Sequence, residues 1–236
     1  MLCRVANLYV EVPAAGGMDS RCKNYLCEEQ HIADIVIKEE WYRMQAYPES
    51  LGEDIVVYLE SGWQFYAGLI NFEGLMLHAS AVELDGKAYL FSGPSGMGKS
   101  THTKLWQQLF GEKAQIFNDD KPALRREDGR WYAYGTPWCG KDGINQNKRI
   151  PLAGICFLKR GQENVIRRLD EMDVIGHVLH QTLHQFKTAE RLGPLLDSLG
   201  RLVREIPVFE LENLPEEAAA RLSYETMSMA AKEMGL

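Results

Sequence analysis

The 236 residues contain no C-x-x-C pair, no dense Lys/Arg run, no internal repeat and no apolar stretch long enough to cross a bilayer. Each absence removes a class of function. The five cysteines (Cys3, Cys22, Cys27, Cys139 and Cys156) are an odd set. Cys22, Cys27 and His31 lack the fourth ligand of a structural zinc site, so reduced, unligated thiols are expected. A net charge of -7 without a basic patch argues against a nucleic-acid binder, because a phosphate backbone needs a cationic surface. The N-terminal MLCRVANLYVEV has no signal-peptide core, so the expected compartment is the cytoplasm, with no membrane partner. What remains is ordinary for a globular chain: 45% hydrophobic, 25% charged and 10% aromatic residues, enough for a substantial core.

Local patterns divide the chain. RVANLYVEV and HIADIVIKEE read as strands on either side of a Gly/Ser/Cys-rich loop, while residues 53–74 could begin as a strand and continue as a helix. Residues 1–72 are taken as a small N-terminal α+β attachment and 73–236 as the core. In the core, LMLHASAVEL and KAYLFSG flank Asp85-Gly86, and PALRRE and RWYAYG flank Asp128-Gly129. Asp-Gly between two such runs is a strong hairpin signal, since a type I′ turn needs positive φ at both central residues. A loop helix over Lys99–Phe110 is expected to bury Leu105, Trp106 and Leu109. Further on come a buried strand (IPLAGICFLKR), two helical stretches, a late strand over residues 206–213 and a terminal helix. Strands interspersed with helices, some joined by hairpins, predict an α/β core with a mixed sheet.

The most informative segment is GPSGMGKST, comprising Gly93, Pro94, Ser95, Gly96, Met97, Gly98, Lys99, Ser100 and Thr101. It satisfies the Walker A pattern and lies between a predicted strand and a predicted helix. Glycines let backbone N–H groups approach phosphate oxygens, and the helix start adds its positive dipole end. Lys99 would reach the outer phosphates of ATP, and the Ser100 hydroxyl would take a place on Mg²⁺.

Counting back from the Asp85-Gly86 turn puts His78 opposite Gly93, at the mouth of this loop. That position favours a functional histidine over a structural one on a sheet rim. Counting from the second turn puts Asp120 opposite Pro137, beside Asp119 and the loop from Gly135 to Lys141. An apolar strand ending in an acid suits a magnesium-holding carboxylate. Two adjacent acids on an extended chain face opposite ways, so one would serve the metal and the other accept a proton from an attacking hydroxyl. We assign Asp119 to the metal and Asp120 to the hydroxyl; the reverse assignment has the same spacing. His177, His180 and His184 share a helical face without an accompanying acid cluster and are read as a solvated or interface face. His102, in the first turn of the loop helix, is placed near the nucleotide.

Together these residues resemble the HPr kinase/phosphorylase family and, more remotely, ATP-dependent phosphoenolpyruvate carboxykinase. The resemblance rests on the hairpin leading into the loop, a histidine on the preceding strand (His78), the loop Gly93–Ser100, the Asp119-Asp120 pair and the segment GINQNKRIPLAGICFLKR. It covers roughly residues 75–160. It implies a P-loop mixed sheet of that type, ATP- and Mg²⁺-dependent transfer to a serine hydroxyl with an aspartate base, His78 and Lys99 as catalytic partners, and a homo-oligomer. Some members of the family reverse the reaction with inorganic phosphate. Two departures are visible. The family's Glu-x-Arg-Gly element is replaced by TPWCGKDG, so that either Lys141 or Asp142 compensates or the metal site is altered, and the N-terminal segment is unlike the family's longer regulatory domain. HPr is therefore not the expected acceptor; another protein, a peptide or a small hydroxyl compound is. Carboxykinase chemistry is disfavoured by the short chain, and a nucleotide-binding module without transfer remains the rival.

Overall fold

A computed structural model describes residues 1–39, 47–48, 50–182 and 189–236. Strands β1 (Leu2–Val5) and β2 (Leu8–Glu11) form a hairpin that β3 (Ile35–Val36) extends in parallel. The expected single strand over RVANLYVEV is thus broken. Ala6 and Asn7 both take positive φ, 50° and 60°, which turns the chain back on itself. The short α1 (Met18–Arg21) lies between β2 and β3.

Residues 53–69 resolve as one helix, α2 (Glu53–Leu69), with no strand at its start. Glu53 and Asp54 sit in its first turn, where the dipole favours acids, and Val57, Phe65, Tyr66 and Leu69 are buried at helical spacing.

The expected strand LMLHASAVEL is also split, into β4 (Gly74–Met76) and β5 (Ala79–Leu84). β4 pairs with β8 (Ala123–Glu127), whereas β5 pairs with β6 (Lys87–Ser92) and β7 (Gln115–Asp120). His78 stands at the break. The helix α3 (Lys99–Phe110) follows β6. β9 (Arg130–Tyr134) returns from β8 with Glu127 opposite Arg130, as expected from the Asp128-Gly129 turn. The long β10 (Arg149–Arg160) joins two regions: Arg149–Pro151 run antiparallel to β9, while Leu152–Phe157 run parallel to β6. β11 (Val165–Arg168), α4 (Glu171–Gln181), α5 (Ala189–Glu205), β12 (Val208–Asn213) and α6 (Glu217–Glu233) complete the chain. The larger sheet is mixed, with order β4-β8-β9-β10-β6-β5-β7, and β12 parallel to β10.

Side-chain alternation along β6 decides what packs where. Ala88 and Leu90 join a core with Val174 and Val178 of α4 and Leu195, Leu199 and Leu202 of α5. Tyr89 and Phe91 face the other way, against Trp106 of α3 and Met227 of α6. Trp106 is fully buried, with Leu105 and Leu109 partly buried beside it, as expected. Each such side chain removed from water contributes roughly 1.5–3 kcal/mol. A third cluster links Val5, Tyr25 and Phe65 to Met76, Ala123, Tyr134 and Trp138, so residues from both halves of the chain share it. Among the described residues, no helix is long and apolar enough to cross a membrane.

Candidate functional site

The turn from β6 into α3 is made by the glycine-rich loop. Gly93, Gly96 and Gly98 have φ of 144°, 77° and 99°, values that L side chains rarely adopt. At Gly93 the fit is also close: a Cβ would lie 3.2 Å from the Leu158 carbonyl oxygen. Lys99 opens α3, and its ammonium folds back to donate to the carbonyls of Gly93 (2.9 Å) and Pro94 (3.2 Å). Burial lowers the Lys99 pKa, and the charges of Asp120 and Asp119 oppose that shift. The ammonium is therefore surrounded by loop carbonyls, with two acids close enough to act on it electrostatically.

Pairing of β7 with β5, which the sequence reading did not foresee, carries the acids to this loop. Ser80 lies opposite Asp119, and Ala79 opposite Asp120. Ser80 Oγ also lies 2.9 Å from Thr103 Oγ1, which anchors α3 against β5. As a result the Ser100 hydroxyl donates to Asp119, at 2.9 Å to Oδ2 and 3.2 Å to Oδ1.

Asp120 turns elsewhere. Its φ of 101° departs from extended backbone, a strained conformation often found at functional sites. Oδ1 lies 3.2 Å from His78 Nε2, while Oδ2 meets the Lys121 ammonium and, at 3.4 Å, the Tyr58 hydroxyl. Burial alone would raise the Asp120 pKa. Hydrogen bonding to His78 and the charge of Lys121 outweigh it and hold the carboxyl well below its usual range. The acids thus have separate partners, the Ser100 hydroxyl of α3 for one and the His78 imidazole, the Lys121 ammonium and the Tyr58 hydroxyl for the other.

His78 is held by its own surroundings. Its backbone N–H donates to the Gln181 carbonyl at 2.9 Å, and its carbonyl accepts from Ser92 Oγ at 2.9 Å. Nδ1 lies 3.3 Å from Gln181 Oε1. The last β5–β6 pair is Ala79 with Ser92, so His78 does reach the start of the loop, just past the strand end.

The second extrapolation fails by two residues. Asp120 bridges to Cys139, not Pro137, because between the Ala123–Tyr134 pair and this bridge one side carries Lys121 and Pro122 and the other the four residues Gly135–Trp138. Gly135 approaches backbone closely there: a Cβ would lie 1.9 Å from the Gln146 carbonyl oxygen. Further along, Gly140 N–H donates to the Asp119 carbonyl at 2.7 Å. Of the residues considered as compensating for the missing glutamate, Lys141 is exposed near Asp120, and Asp142 makes an exposed pair with Lys104 at 3.7 Å.

Lys121 and Tyr58 were missed. Lys121 follows the acid pair directly, and a cation there was the available signal. Tyr58 lies 62 residues from Asp120 in the chain, and nothing local marked it. Lys121 Nζ donates to the Tyr58 hydroxyl at 2.8 Å, and that hydroxyl lies 3.1 Å from the Cys139 carbonyl.

His102 is buried, not open to solvent. Its ring packs at a tilt against Phe91, and Nε2 lies 3.0 Å from Ser223 Oγ. Trp106 Nε1 donates to the same oxygen at 3.0 Å, and Ser223 donates its own proton to the Ala220 carbonyl. Ser223 therefore accepts from His102, which fixes the proton on Nε2. Burial lowers the imidazole pKa to about 4. The unfolded chain takes up a proton near pH 6.5 where the folded chain does not. Stability is then complete above about pH 6.5 and falls toward pH 4 by about 1.4 kcal/mol per pH unit. Denaturant titrations of wild type and His102→Phe across that window should show a shallower acid loss in the variant. Equal slopes would remove His102 as the cause.

His177 stacks on Phe157 and lies 3.7 Å from Glu210; His184 lies outside the described residues. His31 pairs with Glu29, and Cys22 is buried. Among the described residues, no three His, Cys, Asp or Glu side chains converge as a metal cluster.

Two cavities flank the loop and acids. One, of about 420 Å³, is lined by Gly96–Gly98, Thr101, His102 and Arg160. Arg160 donates to the Gly96 carbonyl at 2.9 Å. The other, of about 490 Å³, lies against Asp120, Tyr58 and Gly140.

No protein-family model matches the chain, and no curated protein matches it. Among solved structures it is similar to the Hpr(Ser) kinase/phosphatase from Coxiella burnetii, at 13% identity and a TM-score of 0.36, over 67% of this chain and 95% of that one.

Proposed function

We propose that this chain is a kinase that binds ATP in a P-loop formed by Gly93–Thr101 and transfers its γ-phosphoryl group to a hydroxyl. The observation that carries the reading is the convergence of Lys99, the Ser100–Asp119 pair and the His78–Asp120–Lys121 group around one glycine-rich turn. Lys99 exchanges its carbonyl partners for the outer phosphates and neutralises charge as it spreads over the transferring group. The cavity beside Gly96–Gly98 has room for the nucleoside.

A hydroxyl and a carboxylate side by side are hard oxygen donors of the kind Mg²⁺ takes when substrate phosphates and water fill its other positions. Ser100 and Asp119 would hold the ion, which when bound supplies Lewis-acid neutralisation of phosphate charge. Asp120 remains ionised and accepts the hydrogen bond of the acceptor hydroxyl. With its pKa held low, it takes the proton late, as the new P–O bond makes the hydroxyl acidic. His78 and Lys121 orient that carboxylate.

The test is incubation of the purified chain with γ-labelled ATP, Mg²⁺ and host extract. Label on an acceptor is expected. Tight ATP binding with no labelled product would instead support the rival reading, a nucleotide-binding module, which the absent family glutamate favours.

A further inference from the structure

The cavity of about 490 Å³ beside Asp120 is separate from the one proposed for the nucleoside. It shares no lining residue with the cavity at Gly96–Gly98 and meets the proposed transfer site through Asp120, whose charge acts on Lys99. In-line transfer needs exactly that separation of sides, with the attacking and leaving oxygens at opposite ends of the phosphoryl group. Its volume lies in the range of small-molecule sites.

Its walls carry a charge pattern. Arg21 comes from α1, and its guanidinium lies 4.6 Å from the centroid of the Tyr58 ring. One nitrogen is 3.5 Å from the Cys139 carbonyl oxygen. Lys141 adds a second cation. Among the described residues, no carboxylate pairs with either. Asp120, on the same wall, is already matched by Lys121 and His78, and Asp54 is exposed on α2. Two cations therefore face a cavity whose catalytic acid is neutralised from behind. A planar guanidinium stacked on an aromatic ring is suited to grip a carboxylate or phosphate through paired hydrogen bonds.

We infer that this cavity is the acceptor site, and that the acceptor is a small hydroxyl compound carrying an anionic group. The inference rests on the phosphoryl-transfer reading above. Arg21 and Lys141 hold the anion, and the hydroxyl meets Asp120. The hydroxyl oxygen forms a bond to the γ-phosphorus as the bond from that phosphorus to the bridging oxygen breaks. The electron pair leaves on ADP, and the hydroxyl proton passes to Asp120 and then to solvent. Residues 1–72, which supply Arg21 and Tyr58, thereby complete the site.

The test uses the full chain with Mg²⁺ and γ-labelled ATP, offered host extract divided by ultrafiltration into small-molecule and protein fractions. Two defined arms separate the sources of the anion: L-serine as a hydroxycarboxylate and glycerol phosphate as a hydroxylated phosphate ester. Label is expected on small anions, and Arg21→Ala should raise the acceptor KM by about 10–100-fold with ATP affinity unchanged. Lys141→Glu, at an exposed position that does not endanger folding, should act in the same direction. Label on protein alone, or transfer by both variants equal to wild type, would overturn the inference while leaving the kinase reading intact. Failure of the wild type to bind ATP would bring down both.

Discussion

Lys99→Ala is expected to lower phosphoryl transfer by about 10³-fold or more, since it removes the cation aimed at the charge that develops in transfer. Folding should survive. The ammonium's present partners are the carbonyls of Gly93, which is buried, and Pro94, which is exposed, so the lost bonds cost about 1–3 kcal/mol, short of unfolding a domain. The paired measurement is labelled-phosphate transfer with a thermal melt. Unchanged transfer to the acceptor would refute the role of Lys99, and loss of transfer with loss of folding would be discounted by the melt. Nucleotide affinity should weaken as well, because the same charge meets the outer phosphates before reaction.

Asp120→Asn separates chemistry from binding. Asparagine has nearly the same shape and, like aspartate, tolerates positive φ, so the strained backbone at this position is not a confounding factor. What changes is the ability to take a proton. A kcat reduced by about 10²–10⁴-fold is expected, with ATP affinity close to wild type. A structural cost accompanies it. Lys121, largely buried, loses its carboxylate and keeps the Tyr58 hydroxyl at 2.8 Å, a loss of about 1–3 kcal/mol. Stability should therefore fall while the protein remains folded. A kcat equal to wild type would remove Asp120 as the proton acceptor and return that role to Asp119, the assignment with the same sequence spacing.

The two acids illustrate how far sequence reasoning reaches. Asp119 was assigned beside Ser100, and the structure brings them within 2.9 Å. The acids at the end of an apolar strand were a local signal, but the proximity itself comes from the pairing of β7 with β5. His78 was placed from a two-residue turn only a few residues away, and pairing over so short a distance preserves register. Asp120 was placed by the same counting and missed by two residues, because Lys121 and Pro122 face the longer segment Gly135–Trp138 and the ladder does not continue through it. Proline lacks the N–H that a continued ladder would use. The strand expected across His78 was split for a related reason: β4 and β5 serve different neighbours, and which neighbours they have is not written in their own residues.

By itself the sequence determined the glycine-rich turn, its lysine and serine, the two Asp-Gly reversals and the buried face of α3. These depend on backbone conformations and periodicities set within a few residues. Tertiary structure decided that β7 lies beside β5, that Tyr58 and Lys121 complete the surroundings of Asp120, and that Arg21 faces the cavity behind it. Such contacts join residues tens of positions apart. They form only when the whole chain buries its apolar surface, so no single stretch of sequence encodes them.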